Sequence, residues 1–187
     1  MKSPFYFIVK PMEGKRYSNT SDFGGVELVV NASEEDFRFS NRFAEVIETP
    51  LGYTGPIKPG DTLVVHHNVF KFYNDMKGNR KSGMSFFRED TFFVDFEQFY
   101  MFNDGTGWIP HGRFCFVKPI KPIESYIFKP MLEEPLMGIM KYPNQYLISQ
   151  GVKSGDMVCF EPDSEYEFKI DDEKLYRIVD KYITILL

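Results

Sequence analysis

Cysteine is scarce in this chain. The 187 residues include two, Cys115 and Cys159. Each sits inside an apolar, strand-like run and neither belongs to a CxxC pair, so both are expected to be buried, reduced thiols, with no disulfide framework and no thiolate metal site. Histidine is nearly as rare: His66, His67 and His111 are the only three. On a strand the adjacent pair would point to opposite faces, so no metal site is expected from them. Positive charge is also short, with 22 Lys and Arg against 27 Asp and Glu and a net charge of -5. That balance speaks against nucleic acid and against an anionic membrane surface as partners, since both are held by a basic excess. No apolar run approaches the roughly 18 to 20 residues that cross a bilayer. The N-terminal MKSPFYFIVKP is too short in its apolar part for a secretory signal and lacks a small-residue cleavage site. The expected location is cytoplasmic.

The motifs of catalysis are missing as well. There is no GxSxG, no phosphate-cradling glycine loop followed by Lys-Ser/Thr, and no Cys-His pair with a visible orienting group. Asp95 and Glu97 would share one face of a strand, the minimal arrangement for acid/base work, but they read as a solvated strand edge. The cluster Asp171-Asp172-Glu173 lacks the ligand spacing of a calcium loop and reads as a hairpin turn. Phe86-Phe87 and Phe92-Phe93 offer stacking surfaces without the basic groove that single-stranded nucleic acid needs. The expectation is a protein that is not an enzyme, with no catalytic residue, no cofactor and no metal.

What the chain has is aromatic residues, 17% of the total, together with 14 Gly and 12 Pro and few amphipathic helical stretches. That mix predicts an all-β fold. It also says one phrase twice. IKPGDTLVV begins at Ile57 and VKSGDMVCF at Val152. Ahead of each phrase runs an aromatic strand closed by the same tripeptide, Val9-Lys10-Pro11 and Val117-Lys118-Pro119. A second strand follows in both copies, Phe43-Ala44-Glu45-Val46-Ile47 and Leu136-Met137-Gly138-Ile139-Met140. After each Gly-Asp come two further strand-like runs separated by an acidic turn. These landmarks predict two tandem β domains, residues 1–110 and 111–187.

The repeated Gly-Asp has a physical reason. In Lys58-Pro59-Gly60-Asp61 the proline presets φ for the second position of a type II turn and Gly60 supplies the positive φ of the third. Asp61 can then cap the free amides of the turn before the chain enters a strand. Two stretches break the symmetry. The first copy carries a long polar segment, residues 13–41, with Gly24-Gly25-Val26-Glu27-Leu28-Val29-Val30 at its centre, where the second has a proline-rich link, residues 121–135, without Gly-Gly. The first copy also has a longer turn at residues 74–83.

A strand ending in Val-Lys-Pro, a loop with Gly-Gly and apolar residues, the strand around Ala44-Glu45-Val46, a Lys-x-Gly-Asp turn and the closing stretch Val152 to Leu187 together resemble the chaperonin-10 (GroES-like) co-chaperonin family, as two tandem copies. The resemblance implies two GroES-like, partly open β-barrels. It implies a ring-forming homo-oligomer that closes the cage of an ATP-dependent chaperonin, and a loop, mobile until it docks, that contacts this partner. Carried onto this chain, the contact residues are Gly24, Gly25, Val26, Glu27, Leu28 and Val29. Glu27 departs from the family, which has three apolar residues here. In an extended segment Val26 and Leu28 share one face and suit an apolar groove. The same alternation fits an ordinary strand with Val26, Leu28 and Val30 packed in a core. The second copy lacks the loop and is expected to support the ring. A different class of protein would use the same modules: a structural component, such as a virion decoration or connector protein, whose β modules serve lattice contacts alone.

Overall fold

The aromatic and β-branched run Phe7–Pro11 forms strand β1, with Phe7 and Val9 in a core and Lys10 in solvent. The computed structural model describes residues 1–17, 20–22, 27–29, 39–121 and 133–187, with the backbone only at 20–22 and 27–29. The chain divides into two units, Met1–Gly107 and Trp108–Leu187. Almost all regular structure is antiparallel β.

Unit 1 continues with β2 (Thr20–Asp22), β3 (Glu27–Val29), β4 (Phe43–Glu48), β5 (Thr62–Val65), β6 (Phe72–Asn74), β7 (Arg80–Ser82), β8 (Phe86–Arg88), β9 (Thr91–Val94) and β10 (Phe99–Asn103). Unit 2 contains β11 (Trp108–Pro110), β12 (Phe114–Pro119), β13 (Met137–Tyr142), α1 (Gln145–Ser149), β14 (Met157–Phe160), β15 (Tyr166–Ile170), β16 (Glu173–Val179) and β17 (Ile183–Leu186). In unit 1 the strands lie side by side in the order β10-β5-β4-β1-β9-β8; in unit 2 the order is β17-β14-β13-β12-β16-β15. Strand for strand, the two orders are the same.

The registers agree too. Val9, Lys10 and Pro11 face Val46, Glu45 and Ala44, while Val117, Lys118 and Pro119 face Met140, Ile139 and Gly138. The residue before each Val-Lys-Pro marks a register slip, between Ile8 and Val9 and between Phe116 and Val117. Such a slip bends and twists the strand locally. The closing strands repeat the pattern, with Phe99 opposite Val65 in unit 1 and Ile183 opposite Phe160 in unit 2.

In each unit one face of the sheet lines the main core, and the central strands are buried on the other face too, at Ile8 and Val64 in unit 1 and Phe116 in unit 2. Phe7, Val9, Val46, Leu63, Phe70, Phe92 and Phe99 belong to the core of unit 1. Its rings meet edge to face, Phe7 with Phe99 at 5.5 Å and Phe70 with Phe92 at 4.8 Å between centroids. Pairs of this kind add about 0.5–1.5 kcal/mol beyond the area they bury. The core of unit 2 is less aromatic, built on Cys115, Val117, Met140, Val158, Phe160 and Ile178.

The short helix α1 has no counterpart in the sequence expectations. Asn144 starts it, its side-chain oxygen accepting the amide of Leu147 at 2.9 Å. The Asn144 amide group donates to buried Asp180 at 3.0 Å, and Arg113 donates to the other oxygen of that carboxylate through Nε at 2.9 Å and Nη2 at 2.6 Å. The buried charge is thus paired and hydrogen-bonded, as burial of a carboxylate requires. No helix among the described residues is long and apolar enough to cross a membrane.

Candidate partner-binding site

Gly24, Gly25 and Val26, three of the six expected contact residues, lie outside the described residues; Glu27, Leu28 and Val29 form β3. This strand pairs antiparallel with β2 in the register Thr20 to Val29, Ser21 to Leu28 and Asp22 to Glu27. Among the described residues β2 and β3 form a two-stranded ribbon of their own, separate from the main sheet of unit 1. By the period of two, positions 27 and 29 share one face of the ribbon and position 28 takes the other.

The residues flanking the ribbon form a tied stem. Tyr17 and Ser40 form an isolated antiparallel bridge, and the amide of Asn41 donates to the carbonyl of Arg16 at 2.8 Å. The Asn41 side chain donates to the carbonyls of Met12, at 3.0 Å, and Lys15, at 2.7 Å, and accepts the amide of Phe43 at 2.9 Å. Asn41 is buried and satisfied, and its bonds tie residues 12–16 to residues 41–43.

Arg16 is held against three rings, its guanidinium carbon 4.2 Å from the centroid of Phe72, 4.8 Å from Phe86 and 4.7 Å from Phe92. Its Nη1 donates to Ser82 Oγ at 2.9 Å. Burial lowers its pKa from the usual arginine value, partly offset by the charge of Asp90. Tyr17 stacks on Phe72 at 6.1 Å and 17°, and its hydroxyl oxygen accepts the Phe72 amide at 2.8 Å. None of these stem residues was marked by sequence reasoning. The signal was a cation beside an aromatic where the polar segment begins, which by itself also fits a solvated turn.

His66 and His67 are not placed as expected. Strand β5 stops at Val65 and the chain turns, the amide of Val69 donating to the carbonyl of His66 at 3.0 Å. The turn brings the two rings to 4.1 Å, instead of setting them on opposite faces. Burial, then the neighbouring charges of His66, Arg42 and Lys71, push His67 down to about 4. Among the described residues no group of three or more His, Cys, Asp or Glu is arranged to hold a metal ion.

Asp95 and Glu97 do not share a strand face either. They lie in the turn after β9, where Asp95 Oδ1 accepts the amide of Glu97 at 2.8 Å and the Asp95 carbonyl accepts that of Gln98 at 3.2 Å. A local turn of this kind is what a short aspartate favours over continued extension. The acidic run Asp171-Asp172-Glu173 is a hairpin turn, with φ of 49° and 62° at the two aspartates and Ile170 paired to Glu173. Glu173 lies between Lys118 and Lys141, whose hydrogen bonds lower its pKa. Cys115 is buried, and burial pushes its thiol up to about 12. Cys159, expected to be buried, is only partly so, because the outer face of β14 is open. No protein-family model matches the chain, and no curated protein matches it in sequence.

Proposed function

We propose that this chain is a co-chaperonin, a ring-forming lid subunit that binds a chaperonin and closes its folding cage. On this reading each unit is a partly open, GroES-like β-barrel, and unit 1 makes the partner contact through Gly24, Gly25, Val26, Glu27, Leu28 and Val29. The observation that carries the reading is the β2–β3 ribbon, which pairs with itself and is flanked by a stem tied by Asn41. A partner-docking segment needs that combination: apolar residues in a separate ribbon whose root is tied. Burial of Val26 and Leu28 gives about 3–5 kcal/mol gross, and ordering the segment consumes much of it. Single contacts of this strength suit a ring, where several copies act together and release when the partner changes shape.

The closing strand of unit 2 supports self-association: Ile185 and Leu186 of β17 are 53% and 51% exposed. Strand β17 ends its sheet among the described residues. An open apolar edge strand is a template for pairing with another chain, and a second copy of this chain is the occupant that a ring supplies.

Capture of a purified chaperonin by the immobilised full chain, with and without ATP, tests the reading. Nucleotide-dependent capture is expected. Absence of capture in either state, by a chain that is folded and assembled, removes it and favours a purely structural role in a lattice.

A further inference from the structure

Unit 1 departs from unit 2 in two places. One is residues 12–42, between β1 and β4. The other is residues 66–85, between β5 and β8, where unit 2 has only residues 161–165 between β14 and β15. This second departure is the β6–β7 hairpin, whose strands pair only with each other among the described residues, Phe72 with Ser82 and Asn74 with Arg80.

The two departures meet. Phe72, at the root of the hairpin, has the guanidinium of Arg16 4.2 Å and that of Arg80 3.7 Å from its ring centroid, and Tyr17 is stacked beside it. Its amide donates to the Tyr17 hydroxyl, and Ser82 on the opposite strand takes a hydrogen bond from Arg16. The far end of the hairpin is stiffened locally, since Asp75 Oδ1 accepts the amides of both Lys77 and Asn79 at 2.9 Å. We propose that the β6–β7 hairpin is a positioning element for the stem of the β2–β3 ribbon, the described residues Arg16, Tyr17, Ser40 and Asn41. Phe72 and Ser82 hold Arg16 and Tyr17, and Tyr17 bridges Ser40, so the hairpin fixes both chains of the stem at one point.

The chemistry of the contact asks for these residue types. A guanidinium can lay its plane on a ring while its fork reaches Ser82; a lysine ammonium cannot do both. Phe72 is half-buried and lies outside the core of unit 1, so the clamp can be loosened while the sheet stays folded. Phe72 and Ser82 are therefore positioning residues, acting on the partner contact through Arg16 and Tyr17.

Hydrogen exchange of the full chain tests this without a partner. The Asn41 amide, bonded to the Arg16 carbonyl, reports the stem, and the Val46 and Gly60 amides report the sheet. Phe72→Ala is expected to speed exchange at Asn41 and along β2 and β3 by about tenfold, a change matched to the loss of a partly desolvated cation–π and stacking contact. Val46 and Gly60 should keep their protection, and Phe72→Tyr, which keeps the ring, should exchange as the native chain does. Unchanged exchange at Asn41 in Phe72→Ala overturns the proposal. Should Phe72→Ala also expose Val46, Ser82→Ala carries the test by the same criteria, with a smaller rise.

The second readout rests on the co-chaperonin reading: chaperonin capture should weaken in Phe72→Ala at unchanged sheet protection. A native chain that never captures a chaperonin, while Phe72→Ala still loosens Asn41, removes that reading and leaves the positioning role. Capture by the native chain with no loosening in the variant does the reverse.

Discussion

The amide of Gly60 donates to the carbonyl of Val46 at 2.8 Å, and Val46 in turn donates its amide to the carbonyl of Asp61 at 2.9 Å. In unit 2 Gly155 and Met140 make the same pair of bonds with Asp156, both at 2.8 Å. Each turn is closed by its aspartate: the Asp61 carboxylate accepts the Lys58 amide and the Asp156 carboxylate the Lys153 amide, at 2.7 Å in both. The φ values of Gly60 and Gly155 are +96° and +98°. No atom lies within 4 Å of a Cβ built at either glycine, so an alanine there would suffer backbone strain and no collision. Gly60→Ala and Gly155→Ala are expected to cost each unit a similar amount, about 1–2 kcal/mol. Chemical denaturation of the two single variants measures it, and a cost confined to one unit would mean that the two turns are not mechanically equivalent.

Gly138 gives a sharper asymmetry. It faces Pro119 as Ala44 faces Pro11. A methyl at Gly138 would sit 2.2 Å from Val117 Cγ1 and 2.8 Å from the Lys118 carbonyl oxygen. The valine can rotate, but the carbonyl belongs to a paired strand. Gly138→Ala should therefore destabilise unit 2 by about 1–3 kcal/mol through overpacking, although unit 1 carries alanine at the equivalent position. A melting temperature equal to that of the native chain would show that β12 and β13 can separate to make room.

These two cases also show what was legible in the sequence. The repeated strands were readable because Val-Lys-Pro and Gly-Asp are local rules: a proline that ends pairing and a glycine that makes a turn. The shared strand order follows from the same few landmarks. His66 and Asp95 were misplaced because strand ends depend on competition between extension and nearby turn bonds, as the Asp95 carboxylate shows by taking the Glu97 amide. Helix α1 was missed because its five residues are too few for a helical period, and only the Asn144 cap marks it. The Arg16 clamp was invisible for another reason. Its partners Phe72, Ser82 and Phe92 are brought to it by tertiary structure alone.

His67 makes stability depend on pH. Its folded pKa is pushed down to about 4, first by burial and then by His66, Arg42 and Lys71, from an ordinary value of 6.5. Between these values the unfolded chain binds a proton that the folded chain refuses, so stability rises with pH. The contribution is fully present above 6.5 and is lost as pH falls toward 4. Allowing for the solvent access of a half-buried ring, it amounts to no more than about 2 kcal/mol. Thermal melts from pH 4 to 7 should show a shallower fall for His67→Gln than for the native chain. Parallel curves would place the titration elsewhere.

The open strand β17 predicts an assembly defect. Ile185→Lys puts a charge on a half-exposed residue of the sheet edge, the device by which edge strands avoid pairing. The fold should survive, with a melting temperature within about 2 °C of the native chain's once it is corrected for assembly. Light scattering should report smaller particles than the native chain forms. Native-size particles from Ile185→Lys would exclude β17 as the contact between copies.

Val26 and Leu28 separate the co-chaperonin reading from an ordinary packed strand, because the two readings assign opposite costs to one double substitution. Position 28 lies on β3, which pairs with β2 apart from the main sheet among the described residues. If the ribbon serves a partner, Val26→Ser with Leu28→Ser removes apolar anchors that the free chain does not need. The melting temperature then stays near the native value and chaperonin capture is lost, at a cost of about 3–5 kcal/mol of gross contact per loop. If the residues instead pack into the unit, the same change removes buried apolar area and puts hydroxyls in its place, and stability falls by several kcal/mol, about 2–4 per site at full burial. Melting and capture measured on the same preparation therefore decide the matter. Lost capture at unchanged stability supports a docking ribbon, and a large fall in stability with capture retained by the remaining folded chain places both residues in the core.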